Sequence, residues 1–209
     1  MSLINVFDTE TTGFPKFKLP SDDPSQPHIV DICALLYTEA GELIDSFEAI
    51  IRPDGWTIPD EAAAVHGITT EMAMDLGIPE ADALEGFLAI HQRTELRVAH
   101  NCSFDDRILR IALKRFRSEE AADAFKTGAS YCTAMNAKPI CQIPPTEKMK
   151  ASNFRNQFKT PNLAEAYKHF TGDELIEAHR AMVDAIACAR IYFALRGVAM
   201  PKPTEDAGA

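Results

Sequence analysis

The 209-residue sequence lacks a long apolar run, a cysteine pair and an excess of basic residues. None of its apolar stretches reaches the length that crosses a bilayer, and its first residues lack the basic-then-apolar order of a signal peptide. The five cysteines are scattered and include no CxxC pair, which argues against a disulfide framework or a zinc site. We therefore expect reduced thiols, a cytoplasmic location and no membrane partner.

The charge balance is acidic, with 21 Lys and Arg against 31 Asp and Glu and a net charge of −10. Taken alone, this balance argues against a nucleic-acid ligand, because phosphate binding is driven by Lys and Arg. The objection weakens if several carboxylates hold divalent cations. Two basic stretches also occur, and each is either a phosphate-binding surface or an ordinary solvated one. They are Lys148, Lys150, Arg155, Lys159 and Lys168, and Arg107, Arg110, Lys114, Arg115 and Arg117.

The length and the order of apolar patterns predict one α/β domain, which we place at residues 1–199, with a disordered tail at 200–209. Apolar, β-rich runs predict strands over 3–7, 28–37, 43–51, 96–99 and 130–133. Helical periodicity predicts helices over 60–65, 70–75, 83–93, 104–117, 161–170 (capped by Thr160) and 181–195. Four prolines predict a loop over 14–27, and polar composition predicts a mobile loop over 138–160.

Two carboxylates follow the first predicted strand. Asp8 and Glu10 point the same way, because side chains alternate along a strand with a period of two. The Thr-Thr-Gly that follows at 11–13 can turn the chain sharply and offer backbone N–H groups to a ligand. For an isolated Asp-x-Glu, a strand that ends in a polar turn would be the ordinary explanation.

Two further acids lie on apolar stripes of predicted helices. Asp105 and Asp184 are each in line with residues that face the core, where a carboxylate is costly unless it is paired or binds a cation. Helix capping is the alternative explanation for Asp105, although Ser103 is the more natural cap. For Asp184 the alternative is a salt bridge to Arg180 or Arg190.

The four acids together favour a cation site. Acids that converge without a cation would repel one another strongly. Mg²⁺ and Mn²⁺ prefer carboxylate oxygen, and two such ions can stabilise the attacking and leaving oxygens of a phosphodiester. His179, five residues before Asp184, is placed to accept a proton from an attacking water. A lone histidine there is more often a surface residue, so its role depends on the acids.

Three segments resemble the motifs of a known family. They are Asp-Thr-Glu-Thr-Thr-Gly (8–13), His-Asn-Cys-Ser-Phe-Asp (100–105) and His-Arg-Ala-Met-Val-Asp (179–184), and they resemble the motifs of the DEDD superfamily of 3′–5′ exonucleases. The histidine five residues before the last Asp is typical of the His-type branch, which includes the epsilon proofreading subunit of DNA polymerase III, ribonuclease T and TREX-like nucleases. The similarity covers roughly residues 3–196, although the loop at 14–27 is longer than in compact epsilon-like members.

The resemblance implies a ribonuclease-H-like fold, with a five-stranded mixed sheet in the order 3-2-1-4-5, an antiparallel second strand and flanking helices. It implies that two Mg²⁺ or Mn²⁺ ions are bound by Asp8, Glu10, Asp105 and Asp184, with His179 as general base. It also implies that the substrate is contacted by Thr11, Thr12, Gly13, Asn101 and Phe104. His66 either contacts the substrate or is a structural histidine of its loop.

The activity that the resemblance implies is hydrolysis of terminal phosphodiesters at 3′ ends to nucleoside 5′-monophosphates. Single-stranded DNA, or a frayed 3′ end, is the favoured substrate because residues 66–69 and 160–167 look epsilon-like. A 3′–5′ exoribonuclease is the alternative, since no motif fixes contacts with the 2′-OH. A non-catalytic nucleic-acid- or polymerase-binding module and a metal-dependent phosphatase are the other classes. A DNA polymerase, or another replication or repair protein, is a candidate partner, and the oligomeric state is open.

Overall fold

A mixed sheet of five strands forms the centre of the computed structural model, which describes residues 2–200. The strands are β1 (Leu3–Thr11), β2 (Ile29–Thr38), β3 (Leu43–Ile50), β4 (Leu96–Ala99) and β5 (Ser130–Cys132). Their spatial order is β3-β2-β1-β4-β5, and β2 runs antiparallel to both of its neighbours, whereas β1, β4 and β5 are parallel. The strand order and the antiparallel second strand predicted from the family resemblance are confirmed.

Helices cover both faces of the sheet. They are α1 (Asp60–His66), α2 (Thr70–Leu76), α3 (Glu80–His91), α4 (Ser103–Phe116), α5 (Glu119–Thr127), α6 (Thr133–Cys141), α7 (Glu147–Lys150), α8 (Leu163–Thr171) and α9 (Ala181–Leu195). Residues of α3, α4 and α5 share one apolar cluster with the sheet, and residues of α9 share the cluster on the opposite face. Within residues 2–200, no helix combines the length and apolar composition that crossing a bilayer requires.

The central strand contributes to both clusters. Phe7 of β1 packs with α3 and α4, whereas Ile4 and Val6 pack with α9. This alternation follows from the period of two along a strand, and it places Asp8 and Glu10 on the side of α9. The strand was predicted to end at Phe7 but continues to Thr11, because Asp8–Thr11 still pair with β2. The register shifts between Glu10 and Thr11, where a bulge ends the regular pairing.

Two helical segments depart from the sequence predictions. Helix α5 was not predicted; its N-cap Ser118 accepts a hydrogen bond from Ala121 N, and its inner side buries Phe125. The predicted loop over 138–160 is wrong in part, because α6 extends to Cys141 and α7 forms one further turn. Helix α6 is stabilised by tertiary packing of Ala137 against α8 and α9, which a local polar composition does not reveal.

The helix caps also differ from the predictions. Asn162, not Thr160, caps α8, and its side chain and that of Glu165 form a reciprocal capping box. Helix α4 begins at Ser103, so the predicted cap lies inside the first turn and Cys102 occupies the cap position.

The structure describes all of the predicted loop and one residue of the predicted tail. Residues 14–27, all of which the structure describes, contain neither helix nor strand, as predicted. Of the predicted tail, Met200 packs against the α9 cluster, and residues 201–209 lie outside the described range.

Candidate active site

Asp8 and Glu10 lie at the carboxyl-terminal end of β1, on the face that α9 covers. Both are partly buried, and their positions in the strand give their side chains the same direction. Helix α9 begins beside this strand end and carries Asp184 in its first turn. Helix α4 reaches the same strand end from the other face of the sheet and carries Asp105. The four predicted acids therefore come from three elements that meet at one edge.

Asp105 is almost completely buried, with 3% of its surface exposed, and it is bonded to β1. Its Oδ1 accepts hydrogen bonds from Thr9 N at 3.1 Å and Thr9 Oγ1 at 2.7 Å. Thr9 lies between Asp8 and Glu10 and points to the opposite face, so these two bonds fix the position of α4 relative to both acids. Asp105 thus connects α4 to β1. A residue that only capped its own helix would not need these bonds.

Asp184 is also buried, with 6% of its surface exposed. Its Oδ2 accepts a hydrogen bond from His179 N at 3.1 Å. Its Oδ1 has no hydrogen-bond partner among the residues that the structure describes. The Arg180 guanidinium, one of the two alternatives for pairing with Asp184, instead contacts Asp31 through Nε at 3.1 Å. A buried carboxylate oxygen without a partner is costly unless a cation or water satisfies it.

His179 is exposed and lies in the left-handed region of backbone conformation, with φ of 72°. A residue with a β-carbon is strained there, and such strain is concentrated at functional sites. Ligand atoms of Glu10, His179 and Asp184 all lie within 4.8 Å of one another, close enough to hold one metal ion. Among the described residues, Asp8 and Asp105 of the predicted set belong to no such group of three.

The carboxyl groups of the site have strongly shifted acidities. Burial, followed by repulsion from Asp105 and Asp184, raises the pKa of Asp8 well above its ordinary value. Burial and then repulsion from Asp184 raise the pKa of Glu10 to about 8. Burial raises the pKa of Asp105 to about 7 despite the hydrogen bonds from Thr9, and it also raises the pKa of Asp184. Each shift reports a negative charge that the surrounding protein leaves without sufficient compensation.

One acid of the site was missed by the sequence analysis. Asp31 of β2 is fully buried and pairs in register with Glu10. Its Oδ2 accepts from Arg180 Nε at 3.1 Å and from Ala181 N at 3.3 Å, so it fixes the start of α9 next to His179. A signal was present, because Asp31 is the one acid in a ten-residue strand that is buried throughout.

A cavity of about 310 Å³ opens beside the acids. It brings together five of the six residues predicted to contact substrate, and Asn101 is not in its lining. His66 lines the cavity, and its Nδ1 also accepts a hydrogen bond from Ile68 N at 3.2 Å, so it has a structural role in its loop and stays a candidate for substrate contact. Phe14 was not predicted, and it contacts Phe104 edge-on with ring centroids 6.0 Å apart. The predicted lining residues are Thr11, Thr12, Gly13, His66 and Phe104.

The two basic stretches are largely engaged by acidic partners. In the stretch on α4, ion pairs join Arg110 to Asp123, Lys114 to Glu119, Arg115 to Glu80 and Arg117 to Glu85. In the second stretch, ion pairs join Lys150 to Glu147, Lys159 to Glu165 and Lys168 to Glu174. The ordinary explanation, a solvated and ion-paired surface, therefore accounts for most of both stretches.

Several known proteins are similar to this chain in sequence. The PolC-type DNA polymerase III of Thermotoga maritima is 32% identical over 110 residues, which are 53% of this chain and 7% of the relative. An uncharacterized exonuclease of Escherichia phage 186 is 29% identical over 178 residues, or 85% of this chain and 79% of the relative. Exodeoxyribonuclease 10 of Escherichia coli K12 is 30% identical over 107 residues, or 51% of this chain and 40% of the relative. The chain thus spans a small part of the polymerase and less than half of exodeoxyribonuclease 10.

Solved structures with the same fold include Escherichia coli exonuclease I. Its complex with a dT13 oligonucleotide has a TM-score of 0.69 at 19% identity, covering 95% of this chain and 42% of that one. The zinc-bound form of its complex with single-stranded DNA has a TM-score of 0.64 at 20% identity, covering 94% and 41%. The sequence model of the exonuclease family matches residues 6–192. This match confirms the exonuclease family predicted from the three motifs, and the chain belongs to that family.

Proposed function

We propose that this chain is a metal-dependent 3′–5′ exonuclease that hydrolyses the terminal phosphodiester of single-stranded DNA, or of a frayed 3′ end, and releases nucleoside 5′-monophosphates. The observation that carries the proposal is the trio of Glu10, Asp184 and His179, whose ligand atoms lie within 4.8 Å of one another. This trio lies beside a cavity that Glu10 itself helps to line. A cation site and a nucleotide-sized cavity side by side are what cleavage of a terminal phosphodiester requires.

The carboxylates of the site are suited to Mg²⁺ or Mn²⁺. Two such ions would be held by Asp8, Glu10, Asp105 and Asp184, since hard cations take oxygen ligands. The unpartnered Oδ1 of Asp184 and the raised pKa values of Asp8 and Glu10 both support this assignment, because a cation would compensate the charge. When bound, the ions supply positive charge that stabilises the attacking and leaving oxygens.

His179 is suited to the role of general base. It is exposed, so its ring can meet an attacking water and accept a proton at a ring nitrogen. Two contacts hold its backbone in place: its own N–H donates to Asp184 Oδ2, and the next residue, Arg180, is anchored by Asp31. Two buried acids, Asp184 and Asp31, therefore hold the backbone of His179 and of the residue that follows it.

The cavity is suited to the 3′-terminal nucleotide. Its volume of about 310 Å³ is of the size that encloses a small ligand. Its aromatic side, Phe14 and Phe104, offers a surface for a base, whereas Thr11, Thr12 and Gly13 offer polar groups. Glu10 connects this cavity to the cation site, so a nucleotide bound there would present its 5′-phosphate to the acids.

The preference for DNA is supported by the relatives rather than by a contact in the site. One relative is named an exodeoxyribonuclease, and the solved structures of exonuclease I contain DNA oligonucleotides. The similarity to PolC-type polymerases supports a DNA polymerase as the candidate partner. A 3′–5′ exoribonuclease is the competing assignment, and only a comparison of substrates separates the two.

The test uses wild type, Asp184→Asn and the control Glu39→Gln, which alters an exposed acid of the β2–β3 turn. Each is incubated with single-stranded DNA, duplex DNA and short RNA in Mg²⁺, and mononucleotide release is measured. We expect the wild type and Glu39→Gln to prefer single-stranded DNA, and Asp184→Asn to lose at least about 1,000-fold in rate. A preference for RNA would replace the substrate assignment, and full activity of Asp184→Asn would refute the cation site.

A further inference from the structure

The loop that follows the first motif carries aromatic and basic side chains in alternation. We name residues 14–19 the Phe-Lys loop. Phe14 is 84% exposed and Phe17 is 66% exposed, while Lys16 and Lys18 between and beside them are also exposed. Two phenylalanine rings in water are unfavourable for folding, so their exposure indicates a surface that binds something.

The Phe-Lys loop has a defined backbone rather than a frayed one. The side-chain amide of Gln26 is buried beneath it, with 2% exposed. Gln26 Oε1 accepts from Lys16 N at 3.0 Å, and its Nε2 donates to Lys16 O at 3.1 Å and Pro20 O at 2.8 Å. From α4, Arg107 Nη2 donates to Leu19 O at 2.7 Å. A buried amide and an arginine therefore fix the loop in a shape that holds its phenylalanines outward.

The loop is continuous with the candidate active site. Phe14 lines the cavity that Glu10 also lines, and it contacts Phe104 edge-on. Phe14 also lines a second cavity of about 420 Å³, which extends past Lys16 to Trp56. Phe14 thus lines both the space for a terminal nucleotide and the second cavity, and Lys16 lines the second one. A polymer that ends in the first cavity would pass over Phe14 to Lys16, and the exposed Phe17 and Lys18 follow directly in the sequence.

The charges of the loop differ from those of the basic stretch on α4. That stretch pairs with acids, as between Lys114 and Glu119 at 2.8 Å. In the part of the chain that the structure describes, neither Lys16 nor Lys18 has a carboxylate oxygen within 4.0 Å. Lysines that form no ion pair are suited to phosphates, because their positive charge attracts the phosphates of a nucleic-acid backbone.

We propose that the Phe-Lys loop binds the nucleotides upstream of the 3′-terminal one. Bases stack on Phe14 and Phe17, and Lys16 and Lys18 contact the phosphates between them. Alternation of aromatic and basic residues is how proteins bind single strands without reading their sequence. This inference rests on the proposed nuclease function, and it adds where the strand runs after it leaves the active site.

The experiment compares a long and a short substrate. The values of kcat/KM for dT10 and dT2 are measured for wild type, Phe17→Ala and the control Ile44→Ala, an apolar residue that is 45% exposed on the edge strand β3. We expect the ratio of the dT10 value to the dT2 value to fall about 5- to 100-fold in Phe17→Ala, which is the effect of one lost base stack. The ratio should not change in Ile44→Ala.

A second variant tests the lysines independently. Affinity for dT10 in chelator is measured at several salt concentrations for wild type, Lys18→Ala and the control Lys126→Ala, an exposed lysine at the end of α5. The slope of log affinity against log salt should decrease by about 0.7 in Lys18→Ala alone, because one phosphate contact is lost. An unchanged dT10-to-dT2 ratio in Phe17→Ala together with an unchanged slope in Lys18→Ala would overturn the inference. Wild type that hydrolyses neither substrate would instead refute the nuclease proposal.

Discussion

Glu10 and Asp105 lower the free energy of unfolding when they are ionised, that is, at neutral and higher pH. Their pKa values in the folded chain are about 8 and about 7, above ordinary values near 4.5 and 3.8. Because the folded pKa values are raised, the folded state binds protons more tightly than the unfolded state. Their contribution to stability is therefore fully present below about pH 4 and is lost as the pH rises through 7 and 8.

A divalent cation should restore this stability, and more so at high pH. We expect Mn²⁺ or Mg²⁺, at about 100 times its dissociation constant, to raise the melting temperature at pH 8 by about 5–10 °C relative to chelator. At pH 6 the rise should be smaller, because protons compete for the carboxylates. Thermal unfolding at the two pH values, with and without cation, measures this. An equal or larger rise at pH 6 would contradict the assignment of the acids as ligands.

His179 is the proposed general base and also has a left-handed backbone conformation, and two substitutions separate the two properties. His179→Ala and His179→Gly should both lower the hydrolysis rate by about 100- to 10,000-fold, because each removes the base. Only glycine relieves the strain of the left-handed backbone, so His179→Gly should be more stable than His179→Ala by about 1 kcal/mol. Urea unfolding measures the difference. Equal stability of the two variants would show that the backbone at this position carries no strain.

At the scale of elements, the cap of α8 distinguishes the structure from the sequence prediction. Asn162 accepts a hydrogen bond from Glu165 N at 2.8 Å, whereas Thr160 lies outside the helix and is exposed. We expect Asn162→Ala to lower the free energy of unfolding by about 1 kcal/mol. Thr160→Ala, the matched control, should change it by less than about 0.5 kcal/mol. A greater loss for Thr160→Ala, measured by urea unfolding, would favour the cap predicted from sequence.

Elements with a strong apolar period were predictable from the sequence, and those stabilised by distant contacts were not. Strand β4 and helix α9 have the predicted bounds because most of the residues in each are apolar. Helix α6 was missed because Ala137 is buried by residues of α8 and α9, which follow later in the sequence. The end of β1 was misplaced because the partner strand, not the local sequence, determines how far pairing continues.

At the scale of the whole molecule, the site depends on elements from both faces of the sheet. Strand β1 carries two acids, α4 supplies Asp105 from one face and α9 supplies Asp184 from the other. The sequence predicted that these acids share one site, because Asp8 and Glu10 follow a strand two residues apart and Asp105 and Asp184 lie on apolar helical stripes. Phe14 and Asp31 were not predicted, because their roles arise from neighbours that only the folded chain brings close.

Following a single labelled end is the most direct measurement for this molecule. Single-stranded DNA labelled at its 5′ end is incubated with the wild-type chain and Mg²⁺, and the products are resolved to single nucleotides. We expect a ladder that shortens stepwise from the 3′ end, with no products when a chelator replaces Mg²⁺. Immediate release of the labelled 5′ nucleotide, or cleavage that continues in chelator, would contradict a metal-dependent 3′–5′ exonuclease.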